Sequence, residues 1–286
     1  MIAGVLHFSQ ESGVCKLTEK IRVAVVGAAG RMGREVVKTV LAQEDMALVA
    51  AVDINAAGED AGTLAGTGET GVRLEPDLAA ALTRSRAEVM VDFTAPDTAL
   101  AHISTALVHG TAAVIGTTGI NAEALARIAD QVSAHYGKVV VAPNFALGAV
   151  LMMHFAAIAA RYFPRAEIIE LHHDAKLDAP SGTAVKTAEM ILATRNEAAP
   201  ERQSEEKIPG ARGADKGGLR LHSVRLPGLV AHQEVLFGLE GQILSLRHDS
   251  FARSSFMPGV MLAVREVRQR PGITYGLEKL LGLEEP

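Results

Sequence analysis

From Ile21 onward, short and mostly apolar runs rich in β-branched residues alternate with longer segments whose apolar residues recur at helical spacing. The apolar runs are Ile21 to Val26, Leu48 to Val52, Val89 to Phe93, Ala113 to Ile115 and Val139 to Val141, each soon followed by Gly, Asp or Pro. Between them Arg31 to Gln43, Thr98 to Val108 and Ala122 to His135 have the length and period of helices. Near-continuous apolar strands, separated by helices, predict a parallel sheet covered on both faces. The fold class is therefore α/β, with a Rossmann-like, doubly wound sheet.

After Asn144 the rhythm changes. A helix is predicted over Leu147 to Tyr162, a strand over Glu167 to Leu171 and a helix over Ser181 to Thr194, followed by a polar loop from Asn196 to Gly218. Leu219 to Leu226, Val230 to Gly238 and Ile243 to Asp249 then alternate apolar with polar and are broken by Pro227-Gly228 and Glu240-Gly241, the pattern of antiparallel strands. A last helix, Met257 to Gln269, is expected to return to the first sheet. The expected organisation is an extension over 1–20, a dinucleotide-binding domain over 21–145 completed by 253–286, and an inserted α+β domain over 146–252. That domain, with a mixed or antiparallel sheet, is assigned to substrate binding and oligomerisation.

Composition narrows this picture. The net charge of −5 and the lack of a basic block argue against a nucleic-acid or anionic-membrane face. Cys15 is the single cysteine, so no intramolecular disulfide and no cysteine-rich zinc site is expected, which suits a reducing, cytoplasmic setting. No apolar run reaches the roughly 18 residues of a membrane span, and the start of the chain lacks the build of a secretion signal.

Two segments carry chemistry. Gly27-Ala28-Ala29-Gly30-Arg31-Met32-Gly33 follows the first strand and opens the first helix. Its glycines suit a tight turn, close approach to a pyrophosphate and close helix packing, with the helix N-terminus facing the phosphates. Asp53 ends the next strand, where a carboxylate binds ribose hydroxyls. Ile54 follows it, so no adjacent arginine accepts a 2′-phosphate, although Arg31 can reach one; the pattern leans toward NADH and leaves NADPH open. Gly116-Thr117-Thr118-Gly119 and Ala142-Pro143-Asn144-Phe145 lie at later strand ends and suit the nicotinamide half, or are ordinary turns with capping threonines.

The second segment gathers His172, His173 and Lys176 at the end of a strand, just before Pro180-Ser181-Gly182-Thr183. Ser181 is a natural helix N-cap, and the N–H groups after it form a nest for a carboxylate. Imidazole is suited to proton donation near neutrality, while Lys176 either shares that role or holds a carboxylate. Together they describe a site for a small dicarboxylate. The plainer alternative is a capped helix beside two solvent-facing histidines.

These residues closely resemble the 4-hydroxy-tetrahydrodipicolinate reductases, also called dihydrodipicolinate reductases, of the diaminopimelate route to lysine. The likeness rests on Val26 to Gly33, Val91-Asp92-Phe93-Thr94, Gly116 to Gly119, Ala142 to Phe145 and Glu170 to Thr183, and extends through His222 to Arg225 and Arg247-His248-Asp249. It implies an NADH- or NADPH-dependent oxidoreductase forming homotetramers through the sheet of the second domain. It implies His172 as acid/base group, Lys176 as proton donor or its partner, His173 as a substrate contact, and Ser181, Gly182 and Thr183 as the carboxylate seat. Gly27, Ala28, Ala29, Gly30, Arg31, Met32, Asp53, Gly116, Thr117, Thr118, Ala142, Pro143, Asn144 and Phe145 would contact the cofactor, and no metal is implied. Other readings fit less well. A thioester-forming semialdehyde dehydrogenase needs a cysteine beyond the nucleotide domain, a sugar dehydrogenase its Glu-Lys-Pro motif, and a redox-sensing binding protein has no use for the His172, His173 and Lys176 cluster.

Overall fold

A computed structural model describes residues 19–117, 119–196 and 205–283. The first half runs β1 (Ile21–Val26), α1 (Arg31–Leu41), β2 (Met46–Val52), α2 (Ala61–Ala65), β3 (Leu74–Glu75), α3 (Leu78–Ser85), β4 (Val89–Asp92), α4 (Pro96–Val108), β5 (Ala112–Ile115), α5 (Ala122–His135) and β6 (Lys138–Val141). The second runs α6 (Leu147–Ala160), β7 (Arg165–His172), α7 (Gly182–Thr194), β8 (Ala214–Lys216), β9 (Leu219–Arg225), β10 (Ala231–Leu239), β11 (Gln242–Ser250), α8 (Met257–Val267) and β12 (Gly272–Tyr275).

The five apolar runs form β1, β2, β4, β5 and β6 of a parallel sheet in the order β12-β6-β5-β4-β1-β2-β3, whose two-residue edge strand β3 the sequence pattern did not indicate. Successive side chains on a strand face opposite ways, so each strand feeds two cores. Val23, Val25, Val89, Val91, Val114 and Val140 pack toward α1 and α8. Ala24, Val26, Met90, Ala113, Ile115 and Val139 pack toward α3, α4 and α5. The chain leaves β1 toward β2 and later returns to its other side as β4, which puts the topological switch point, and the crevice that goes with it, at the carboxyl ends of β1 and β4.

The second sheet has the order β11-β10-β7-β9-β8. α6 and α7 cover one face, burying Met152, Ala156, Ala184, Ala188 and Ile191 against Ile168, Leu221, Val235 and Phe237. β10 is antiparallel to β7 and β11, as the alternating pattern suggests, but β9 runs parallel to β7. The reason is connectivity: parallel neighbours need a long connection rather than a tight hairpin, and the chain between β7 and β9 includes α7 and then β8, from which a hairpin turns it back to lie beside β7. The sheet is therefore mixed. The polar stretch expected as loop contributes β8, an antiparallel partner of β9, while residues 197–204 lie outside the described ones.

α8 packs against α1, β4, β5 and β6, returning the chain to the first sheet. Beyond it β12 adds an edge strand beside β6 that the sequence pattern did not indicate. Most of the extension assigned to 1–20 lies outside the described residues. No helix among those described is long and apolar enough to cross a membrane.

Candidate active site

The β1–α1 turn is shaped by two glycines. Gly27 has φ +74, a left-handed conformation favouring glycine. At Gly33 an added Cβ would stand 2.7 Å from the Gly27 carbonyl carbon and 2.8 Å from the Ala28 Cα, and nearer still to the Gly27 oxygen, so only hydrogen lets α1 approach the turn. α1 begins at an extended Gly30 with no side-chain cap and no acid in its first turn, leaving positive potential and N–H donors facing the crevice. Asp53, just past β2, accepts from the Ala29 N–H at 2.9 Å through one oxygen and from the Asn55 N–H at 2.9 Å through the other. These features fit a dinucleotide phosphate and its adjoining ribose. Ala28 is buried, Met32 packs against the core, and Arg31 is exposed.

The neighbouring loops are tied together around Asp92 at the end of β4. Its fully buried carboxylate accepts from the Thr94 N–H, the Thr94 hydroxyl and His102 Nδ1, each at 2.7 Å. The Thr117 hydroxyl donates to the Thr94 carbonyl at 2.8 Å. Gly116 has no room for a Cβ because the Phe93 ring covers it, and that ring lies 5.8 Å from Phe145. Ala142 and Phe145 are buried in the first core, so their backbones, and the exposed Pro143 between them and Asn144, are what they can offer a ligand. Thr118 lies outside the described residues.

His172 is the last residue of β7, and Glu170, two positions earlier, shares its face of the sheet. Glu170 Oε2 accepts from His172 Nδ1 at 2.5 Å. His173 opens the loop and is exposed; its carbonyl accepts the Lys176 N–H at 3.1 Å. Lys176 Nζ donates to Asp178 at 2.7 Å. Ser181 caps α7, its hydroxyl accepting from the Ala184 N–H at 3.2 Å. A Cβ on Gly182 would meet nothing within 4 Å, so the nest opens onto free space. Asn144 Nδ2 donates to the Thr183 hydroxyl at 3.4 Å, linking the first sheet's last loop to that nest. Glu170 thus joins His172 to the Ser181 start of the nest, and Asn144 reaches the nest from the first sheet's last loop.

The family models described as Dihydrodipicolinate reductase, N-terminus, and Dihydrodipicolinate reductase, C-terminus, match residues 21–145 and 148–281. The chain belongs to the dihydrodipicolinate reductase family. It is 56% identical over 261 residues to the 4-hydroxy-tetrahydrodipicolinate reductase of Moorella thermoacetica, covering 91% of this chain and 98% of that one. It is 50% identical over 262 residues to that of Listeria monocytogenes serotype 4b, covering 91% and 100%. The dipicolinate-bound dihydrodipicolinate reductase of Paenisporosarcina sp. TG-14 superposes with a TM-score of 0.81 at 44% identity, over 91% of this chain and 99% of that one. An amine dehydrogenase of Mycobacterium smegmatis shares the fold alone, at 15% identity and a TM-score of 0.62.

In this reductase the electrostatics of the histidine strand follow from burial and pairing. Burial is the larger influence on His172 and lowers its pKa; Glu170 opposes this, and Lys176 and Arg225 add to the lowering. Burial also pushes the Glu170 carboxyl up, but hydrogen bonds from Arg225 and His172 outweigh it and hold the group below the usual carboxylate range. The hydrogen bond from Lys176 is the largest influence lowering Asp178. Sequence reasoning assigned no role to Glu170, Arg225, Asp92 or His102. The spacing of Glu170 and His172 on a strand was a usable signal, whereas Arg225 is 55 residues from its carboxylate. Among the described residues no group of three or more His, Cys, Asp and Glu side chains is placed to hold a metal ion.

Proposed function

We propose that the chain reduces 4-hydroxy-tetrahydrodipicolinate to tetrahydrodipicolinate, using NADH or NADPH, in the diaminopimelate route to lysine. The observation that carries this reading is the placing of His172 and the open α7 nest around one buried carboxylate, beside a loop of the nucleotide sheet. When bound, the dinucleotide supplies a hydride from its nicotinamide ring. The protein's own groups then have to seat a dianion and deliver one proton. Ser181, Gly182 and Thr183 seat a carboxylate on the N-terminus of α7, and His173 contacts the substrate from the loop.

His172 donates the proton through Nε2, since a carboxylate only accepts and Nδ1–H is committed to Glu170. Burial disfavours the charged imidazole. A dianion arriving beside it restores the protonated form where it is needed. Lys176 is the second cation, attracting the substrate and the negative charge that develops as the hydride is added.

Residues 21–145 with 253–286 form the dinucleotide domain in this reading. Gly27 to Met32, Asp53, Gly116 to Thr118 and Ala142 to Phe145 contact the cofactor, and Ile54, exposed after Asp53, leaves NADH at least as good a donor as NADPH. Residues 146–252 bind substrate and associate as a homotetramer through the sheet face opposite α6 and α7. The setting is the cytoplasm. The test is nicotinamide oxidation with substrate made freshly from pyruvate and aspartate semialdehyde, run with each nucleotide. Turnover with both, and kcat/KM for NADH no lower than for NADPH, is expected; a strong NADPH preference overturns the cofactor reading, and no turnover with either overturns the function.

A further inference from the structure

Among the charge pairs the roles above leave unassigned, one adjoins the site: Glu170 on β7, fully buried, and Arg225 on β9, mostly buried. A buried ion pair is weak evidence for stability, because apolar residues of similar volume often hold a fold as well. What distinguishes this pair is what it touches. Glu170 Oε2 accepts from His172 Nδ1 at 2.5 Å and Arg225 Nη1 at 2.9 Å, while Oε1 accepts from Arg225 Nη2 at 2.7 Å and the Ser181 N–H at 3.2 Å. Arg225 Nη2 also donates to the Asp178 carbonyl at 2.7 Å, and the Asp178 carboxylate holds Lys176. One ion pair therefore joins the imidazole, the start of the nest and the backbone beside the lysine.

We propose that Glu170 and Arg225 are positioning residues for the reduction: Glu170 fixes the tautomer and direction of His172 and anchors the Ser181 end of the carboxylate seat, and Arg225 fixes the segment that pairs with Lys176. The catalytic consequence rests on the reductase reading of this site; the state of the imidazole rests on geometry alone. The charged groups acting on His172 are Glu170 on its own strand, Arg225 on the neighbouring strand and Lys176 on the following loop. Glu170 favours the imidazolium, and the two cations disfavour it. Removing Glu170 and removing Arg225 must therefore move the His172 titration in opposite directions. A merely structural pair behaves differently, because loosening the sheet from either side hydrates the imidazole and moves it the same way.

The experiment titrates the full chain, carrying isotope-labelled histidine, by NMR without ligand, with His172→Asn identifying its resonance among the ten histidines. Wild-type protein is expected to show His172 protonated at Nδ1. Glu170→Gln lowers the His172 midpoint and loses that tautomer, whereas Arg225→Gln raises the midpoint. Glu170→Asp, which withdraws the carboxylate by one methylene, shifts the midpoint the same way as Gln but less, and serves if the Gln variant does not fold. In parallel, kcat of Glu170→Gln falls roughly 10- to 100-fold with the nucleotide KM unchanged, the scale of losing the orienting partner of a general acid. Arg225→Lys recovers part of the activity that Arg225→Gln loses. Midpoints that stay still, or that move together, overturn the proposal. Absence of turnover in the wild-type protein would instead remove the reductase reading, and the titration would still decide how His172 is held.

Discussion

Gly182→Ala separates a residue that holds the fold from one that meets a ligand. Gly182 is the first residue of α7, its φ lies outside the left-handed region, and an added Cβ meets nothing within 4 Å. The folded chain therefore accepts the methyl without strain, while the unfolded chain loses conformational freedom, a gain of about 0.4 to 1 kcal/mol. For a chain of this size that is a rise in Tm of roughly 1 to 4 °C. In the proposed carboxylate seat the same methyl would take up space meant for the substrate. Weakening one charge-assisted hydrogen bond there costs about 1.5 to 3 kcal/mol, so the substrate KM should rise on the order of ten- to a hundredfold while the nucleotide KM stays unchanged. Calorimetry and initial rates with each reactant varied in turn read both numbers. A lower Tm would refute the open-space argument, and a higher Tm with an unchanged substrate KM would refute the seat.

Three other substitutions probe the rest of the molecule. Gly33→Ala forces α1 away from the Gly27 turn and should destabilise by about 1 to 3 kcal/mol, as overpacking does, with weaker nucleotide binding by fluorescence titration; wild-type Tm and affinity would contradict it. His172→Ala should reduce kcat by roughly 10²- to 10⁴-fold with nucleotide affinity retained, and an unchanged kcat would remove His172 from the proton step. Asp60, held by the N–H groups of Thr63, Thr70 and Gly71, has its pKa lowered from 3.8 to about 2, chiefly by the Thr63 bond. A depressed carboxylate pKa gives stability that is present above the unfolded value and lost as pH falls through the folded one. Tm should therefore drop less between about pH 4 and 2 in Asp60→Asn than in the wild type, and equal slopes would show that the loop is held by other means.

Most of the first sheet was legible because strands buried on both faces carry largely apolar runs, unbroken in β2 and β5. β12 was not, since Gly272 to Tyr275 is a short edge strand with half-exposed residues and no alternation to mark it. The direction of β9 was hidden for another reason: alternation marks a strand with one face to the core, which antiparallel strands commonly have, and β9 carries it while running parallel to β7. At the site, the cap at Ser181 and the two histidines were readable as local chemistry. The carboxylate that joins them was readable only as spacing. Its guanidinium partner became visible only when folding brought β9 beside β7, because pairing across 55 residues leaves no local trace.

The parallel course of β9 has a consequence for where charge ends up. Its register sets His172 opposite Arg225, so both residues finish their strands at the same end of the sheet. Had β9 run the other way, residue 225 would have emerged at the far edge, beyond reach of Glu170. The long connection from β7 through α7 and β8 to β9 thus does for the second sheet what crossovers do for the first: it brings charged groups from separate strands together at their carboxyl ends. Chain direction, as much as residue type, decides which side chains can meet.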